Sequence, residues 1–139
     1  MTIQAQVNWV SAMQFVGRSG TGPAVILDDH EGGSGPSPME LMLMAVAGCT
    51  AMDIVSILKK KRAVFTSVRV NIQGEQAGDY PKRFRHVDIE YVITGRGVKP
   101  KAVEQAISLS ATKYCSAVAS LNATVGHTYR IEEKDATAP

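Results

Sequence analysis

The sequence predicts a protein of the α+β class. Short segments in which apolar and polar residues alternate indicate β-strands, and two longer segments have apolar residues at the spacing of helices. Along the chain these segments come in the order three strands, helix, two strands, helix, strand. Such an order, without regular strand–helix alternation, is typical of α+β folds. A chain of 139 residues suits one domain, so residues 1–139 are expected to form a single folded unit.

The N-terminal segment predicts three short strands. In MTIQAQVNWVSAM the side chains of Ile3, Val7 and Trp9 point one way and the intervening polar ones point the other, which indicates a half-buried strand. MQFVGR and PAVILDD follow as two more strands, separated by the turn residues SGTG. With the three later strands, we expect one sheet of six.

The first predicted helix is the most apolar part of the chain. Ser37 is a candidate N-cap, Pro38 suits the first helical position, and Glu40 completes an S-x-x-E capping box. The basic run KKKR suits the C-terminal end. Because the helix is apolar nearly all round, it must be covered on nearly all sides. One sheet covers only one side, so we expect a core helix at the centre of a homodimer; a membrane span is the less favoured interpretation.

The C-terminal half predicts two longer strands, a helix and a last strand. VFTSVRVNIQGE and FRHVDIEYVITG each have one apolar face, which is typical of antiparallel sheets. The second helix is expected to run from about Pro100 to Leu121, with Cys115 beside its apolar stripe. In the final strand, TVGHTYRIEE, we expect His127 to be a partly buried histidine with its hydrogen bonds satisfied. KDATAP reads as a loose tail.

Composition and charge exclude several functional classes. A net charge of +2 gives no electrostatic reason to expect nucleic acid or an anionic membrane as a partner. The start of the sequence has no basic segment followed by an apolar one, so a signal peptide is not expected. The expected compartment is therefore the cytoplasm, where thiols stay reduced.

The cysteines are Cys49 and Cys115, with no CxxC and no histidine pair at ligand spacing. Because a structural zinc site needs about four ligands, neither a metal nor another cofactor is expected.

Cys49 stands at the centre of the first helix, where two interpretations are open. Cysteine is a small residue that is often buried, so Cys49 can simply be a packing residue. Alternatively it is a reactive thiol in a shielded pocket. Asp53 and Ser56 lie on the same helical stripe. A lone carboxylate near a thiol raises the pKa of that thiol, whereas a carboxylate paired with an arginine can orient the cation.

Two cysteine-bearing segments together resemble the OsmC/Ohr family. They are GPSPMELMLMAVAGCTAMDIVSILKKKR and, later in the chain, AISLSATKYCSAV. The resemblance covers essentially the whole chain. It implies an OsmC-like fold in which antiparallel sheets wrap around two central helices of an intertwined homodimer. It also implies a peroxidase that reduces organic hydroperoxides in oxidative-stress defence and is regenerated by a dithiol reductant of the lipoyl type.

Carried over by position, the resemblance implies a role for each cysteine. Cys49 would be the peroxidatic thiolate and Cys115 the resolving thiol. An arginine near the end of the early strands often supports the thiolate in this family, and FVGRSG places Arg18 there. Attack of the thiolate on the O–O bond yields a sulfenic acid, which condenses with the second thiol to a disulfide.

The glutamate of the family's peroxide reductases is displaced here. The family carries it ten residues before the first cysteine, where this chain has Met39, and Glu40 stands nine before. At about 100° per residue, ten positions leave a side chain about 80° from Cys49, and nine leave it about 180° away. Glu40 is therefore better explained as the capping partner of Ser37 than as a site residue.

Two other functions remain open at this point. The chain can be a non-catalytic or small-molecule-binding OsmC-like dimer that keeps the scaffold without turnover. It can also be a redox-sensing regulator that uses the same cysteine pair. A peroxidase assay coupled to a dithiol separates the enzyme from the first, and a partner whose binding changes on oxidation would identify the second.

Overall fold

A computed structural model describes residues 1–134. Most of the expected tail, residues 135–139, lies outside the described residues. The chain divides into two compact units, Met1–Met42 and Leu43–Pro139, and each is described by itself. The first helix, α1 (Pro38–Lys60), begins in the first unit and continues into the second. The α+β class is confirmed.

The first unit contains a three-stranded antiparallel sheet. Its strands are β1 (Ala5–Ser11), β2 (Gln14–Ser19) and β3 (Ala24–Leu27), in the spatial order β1-β2-β3. All three strands were expected, but the expectation that β1 is half-buried is wrong. All seven of its residues are exposed in the single chain, Trp9 by 67%. Pairing with β2 satisfies backbone hydrogen bonds of β1 but covers neither face of the strand, on which its side chains stand.

The predicted capping box at the start of α1 is confirmed. The backbone N–H of Ser37 donates to Oε1 of Glu40 at 3.0 Å, and the N–H of Glu40 donates to Oγ of Ser37 at 3.3 Å. These reciprocal bonds satisfy two donors that a helix N-terminus otherwise leaves without partners. Lys59 and Lys60 occupy the last turn, where positive charge is favourable.

The second unit contains a mixed sheet. Its strands are β4 (Val64–Gln76), β5 (Phe84–Arg96) and β6 (Thr124–Glu133), with β5 in the middle. β4 and β5 are antiparallel as expected, but β6 is parallel to β5. The expectation of purely antiparallel sheets is therefore wrong, as is that of one six-stranded sheet. The chain enters β6 through a helical crossover, and such a connection joins parallel neighbours.

The core of the second unit lies between α1, the middle strand and the second helix, α2 (Pro100–Leu109). β5 is buried along most of its length because it pairs on both edges. The fully or nearly buried apolar side chains of these elements are Val46, Ile54, Ile57, Leu58, Phe84, Val87, Ile89, Tyr91, Val92, Ile93, Val103, Ala106 and Ile107.

Part of α1 remains exposed in the single chain. Met44 and Met52 are 54% and 75% exposed, and the most apolar stretch of the helix has only 28% of its residues buried. By length and composition alone α1 could cross a bilayer, a criterion that core helices of soluble proteins also meet. Its sequence is thus more apolar than the burial within one chain requires.

The second helix is shorter than predicted. α2 ends at Leu109, and a single π-helical turn, Ser110–Tyr114, follows it directly. Cys115 is extended, with φ −76° and ψ 98°, and a short helix α3 (Ser116–Ala119) follows. The expectation of a continuous helix to Leu121 is wrong because the wider turn bonds the N–H of Cys115 to the carbonyl of Ser110 and ends the helical ladder.

Candidate active site

The fold brings the two cysteines together. Cys49 lies about three turns into α1, and Cys115 lies at the break between the π-helical turn and α3. Both are free thiols. The two sulfur atoms and a carboxylate oxygen of Asp53 all lie within 4.8 Å of one another. The break in the second helix matters for this geometry, because π-helical turns commonly mark functional positions and this one precedes the second thiol.

The two thiols differ in exposure. Cys49 is partly exposed, whereas Cys115 is only 5% exposed. The N–H of Val118 donates to Sγ of Cys115 at 3.4 Å. Burial raises the pKa of the Cys115 thiol to about 11, the hydrogen bond from Val118 opposes the rise, and the neighbouring Cys49 adds to it. Cys115 is therefore a neutral thiol at neutral pH.

Asp53 is held by a residue from the second helical segment. It lies one helical turn after Cys49, as the sequence predicted. The hydroxyl of Ser110 donates to Oδ2 of Asp53 at 2.9 Å, and Ser110 is completely buried. The carboxylate is thus oriented beside the two sulfur atoms by a partner that sequence analysis did not identify. The other helical residue predicted on this stripe, Ser56, is exposed.

A buried tyrosine and a histidine lie in the same unit, next to this cluster. The hydroxyl of Tyr91 is 2.9 Å from Nδ1 of His127, and the two rings stack at 5.9 Å. Burial raises the pKa of Tyr91 to about 12; a hydrogen bond with Thr50 opposes the rise, and the charges of Cys115 and Asp53 add to it. Burial lowers the pKa of His127. The expectation of a satisfied, partly buried histidine is confirmed.

Arg18 and Glu40, the other two predicted site residues, lie in the first unit. Arg18 is exposed on β2 and its Nη1 donates to the carbonyl of Gly22 at 3.0 Å. The hydrogen bonds with Ser37 lower the pKa of Glu40, and its carboxylate is 3.9 Å from Nδ1 of His30. Glu40 thus has the capping role that the sequence indicated. Any role of Arg18 toward Cys49 stays a prediction.

Comparison with known proteins identifies the family. Residues 30–130 match the family model of OsmC-like proteins, so this chain belongs to the OsmC-like family. It is 40% identical over 130 residues to protein YhfA of Escherichia coli, covering 94% of this chain and 97% of YhfA.

Solved structures agree with this assignment. A hypothetical protein from Aquifex aeolicus is 26% identical with a TM-score of 0.87, covering 97% of this chain and 99% of its own. The organic hydroperoxide resistance protein OhrB of Bacillus subtilis is 12% identical with a TM-score of 0.63, covering 94% and 98%. The likeness to OhrB is one of fold alone.

The residues that sequence analysis missed are those whose partners come from distant segments. Ser110 and Thr50 are small polar residues in otherwise apolar helices, and their complete burial is the one feature that distinguishes them. A buried hydroxyl needs a hydrogen-bond partner. A serine or threonine on the apolar stripe of a predicted helix could therefore have been recognised as a residue with a specific partner. Nothing in the sequence indicated that the partner of Ser110 would be Asp53.

Proposed function

We propose that this protein is a thiol peroxidase that reduces organic hydroperoxides through Cys49, with Cys115 as the resolving cysteine. The observation that carries the proposal is the meeting of two free thiols from separate elements, one partly exposed and one buried. A peroxide arriving from solvent meets Cys49 first. Family membership fits a redox role, and OhrB, named as an organic hydroperoxide resistance protein, shares the fold.

The first step forms a sulfenic acid. The thiolate of Cys49 attacks one peroxide oxygen, the O–O bond breaks, and the alkoxide leaves as an alcohol after taking up a proton. The electron pair of the sulfur is the reductant, so Cys49 is oxidised to S–OH while the peroxide is reduced. Apolar helix neighbours of Cys49, among them Val46, favour an alkyl peroxide over hydrogen peroxide.

The second step closes a disulfide. The sulfur of Cys115 attacks the sulfenic sulfur of Cys49, the S–O bond breaks, and the thiol proton of Cys115 leaves with the hydroxyl as water. The burial of Cys115 protects it from direct oxidation until the sulfenic acid has formed. A dithiol of the lipoyl type then reduces the disulfide by exchange and regenerates both thiols.

Asp53 is the acid–base residue within reach of this chemistry. A carboxylate oxygen within 4.8 Å of both sulfurs can relay the proton released by Cys49 to the departing oxygen. The hydrogen bond from Ser110 holds the carboxylate in place and stabilises its negative charge. Arg18 is proposed to support the thiolate, because a guanidinium near a thiolate favours the charged form.

The assembly we propose is the intertwined homodimer of one OsmC-like domain, in the cytoplasm. Exposed apolar residues support the dimer, since large apolar side chains left exposed in a single chain can be covered by a second one. They occur on β1 and on α1 and include Val7, Trp9, Met42, Met44 and Met52.

A coupled assay tests the activity. Wild-type protein is given an organic hydroperoxide and dihydrolipoamide, and consumption of peroxide is compared with that of Cys49→Ser and Cys115→Ser. We expect turnover in the wild type, none in Cys49→Ser, and a single event without turnover in Cys115→Ser. Equal rates in wild type and Cys49→Ser would refute the proposal. A disulfide that forms but is not recycled by the dithiol would favour the redox-sensing function instead.

A further inference from the structure

We infer that the reduced thiols of Cys49 and Cys115, together with the carboxylate of Asp53, form a binding site for a Zn²⁺ ion. Counting ligand spacings along the sequence gives no such site, because the three residues come from two separate segments. The fold assembles their ligating atoms within 4.8 Å of one another. Among the residues that the structure describes, this is the one group of three or more His, Cys, Asp or Glu side chains whose ligating atoms lie this close together.

The chemistry of these three donors selects the metal. Two thiolates are soft ligands that favour Zn²⁺ over Ca²⁺ or Mg²⁺, which prefer an all-oxygen shell. A carboxylate is an accepted third ligand of zinc. Three protein ligands leave the fourth tetrahedral position for water, which is the arrangement of zinc sites that remain open to exchange. The partial exposure of Cys49 provides access from solvent.

The separations fit zinc after a small adjustment. With Zn–S bonds of about 2.3 Å, two sulfurs in tetrahedral coordination lie about 3.8 Å apart. The present upper limit of 4.8 Å therefore requires a contraction of about 1 Å or less. Rotation about the Cα–Cβ bonds can supply it, and Cys115 stands on extended backbone at the end of a helix rather than inside one.

Ser110 would hold the carboxylate ligand of this site without touching the metal. Its hydroxyl donates to Oδ2 of Asp53, and a carboxylate has enough lone pairs to accept this bond and bind a metal as well. Zinc-binding carboxylates are commonly oriented by such a second hydrogen bond. Because Ser110 is completely buried, the carboxylate has a fixed direction before a metal arrives.

Oxidation of the pair would release the metal. When a peroxide oxidises the two zinc-bound thiolates, a disulfide forms, two protons are consumed, alcohol and water leave, and Zn²⁺ is freed. This coupling to peroxide rests on the proposed function, whereas the zinc site itself does not. Any oxidant that closes the disulfide removes both sulfur ligands.

A competition titration tests the site. Reduced, chelator-treated protein is titrated with ZnCl₂ in the presence of a chromogenic zinc chelator, and CdCl₂ is used in parallel to detect thiolate-to-metal absorption in the ultraviolet. We expect one Zn²⁺ per chain. Cys49→Ser and Cys115→Ala should each weaken binding at least about 100-fold, and Asp53→Asn about tenfold or more. Asp79→Asn, a change at an exposed carboxylate of the β4–β5 hairpin, is the matched control and should bind as the wild type does.

Failure of the site and failure of the peroxidase give different results. If reduced wild-type protein shows no thiolate-to-cadmium absorption, or if both cysteine variants hold Zn²⁺ as tightly as the wild type, the zinc site is refuted. Diamide, which oxidises dithiols without any peroxide, should release bound zinc from the wild type. Release by diamide but not by an organic hydroperoxide would support the zinc site and count against the peroxidase.

Discussion

The hydroxyl of Ser110 donates a 2.9 Å hydrogen bond to Oδ2 of Asp53, across a sequence separation of 57 residues. This bond joins α1 to the π-helical turn that precedes Cys115. It therefore fixes both the direction of the carboxylate and the position of the second thiol. One contact between small side chains links the two segments on which the proposed chemistry depends.

Ser110→Ala should both destabilise the protein and slow disulfide closure. Removing the donor leaves a partly buried carboxylate without this partner, which costs about 1–3 kcal/mol in the free energy of unfolding. Urea denaturation measures the first effect and stopped-flow oxidation the second. Ser108→Ala, a change at an exposed position of α2, is the control. If Ser110→Ala behaves as this control does in both measurements, the bond has no role in the site.

Arg18→Gln should slow the reaction of Cys49 with a hydroperoxide by about tenfold or more, because the change removes a guanidinium whose positive charge favours the thiolate, which is the reactive form of cysteine. The measurement is the second-order rate constant for single oxidation at neutral pH. Arg130→Gln removes an exposed arginine that pairs with Glu132 at 3.4 Å on β6 and serves for comparison. Equal rates in the two variants would show that Arg18 does not act on the thiolate.

Asp28 should make stability depend on acid pH. Its carboxylate accepts hydrogen bonds from the hydroxyl and N–H of Ser34 and the N–H of Asp29, and these hold the pKa of Asp28 below its usual range. A depressed folded-state pKa gives stability that is present above the unfolded value and lost as pH falls through the folded value. Asp28→Asn should therefore flatten the decline in the urea midpoint below about pH 4. A decline as steep as in Asp79→Asn would contradict this role.

Met44→Lys should break the proposed homodimer. Met44 is 54% exposed on α1 in the single chain, and an unpaired charge buried in an apolar interface is strongly unfavourable. Light scattering should give twice the chain mass of 14.9 kDa for the wild type and a lower mass for the variant. Tyr80→Lys, at an exposed hairpin position, should leave the dimer intact. A monomeric wild type would refute the assembly.

Local patterns predicted the elements of this fold well, and long-range pairing poorly. The capping box of Ser37 and Glu40 was readable because both partners lie within one helical turn. The parallel pairing of β6 with β5 was not, because alternation of side chains does not distinguish the direction of a neighbouring strand. The exposure of β1 was missed for a similar reason, since an apolar face does not tell which surface covers it.

The sequence singled out three residues that the fold brings together, but their geometry could not be predicted from it. Cys49, Cys115 and Asp53 stood out by residue type, and the helical spacing placed Asp53 one turn after Cys49. The interruption of the helix at Cys115 could not be predicted, because the apolar stripe continues across the π-helical turn and no Gly or Pro marks it. Sequence periodicity therefore indicated a single helix, while the backbone turns the thiol inward at that point.

The most direct test of the central claim is the mass of the intact protein after one equivalent of an organic hydroperoxide, followed by peptide mapping without reduction. The proximity of the two sulfurs predicts a loss of two hydrogen atoms per chain and a peptide pair joined through Cys49 and Cys115. Two thiols that stay free, or a Cys49 that gains oxygen atoms while Cys115 remains unmodified, would contradict the account.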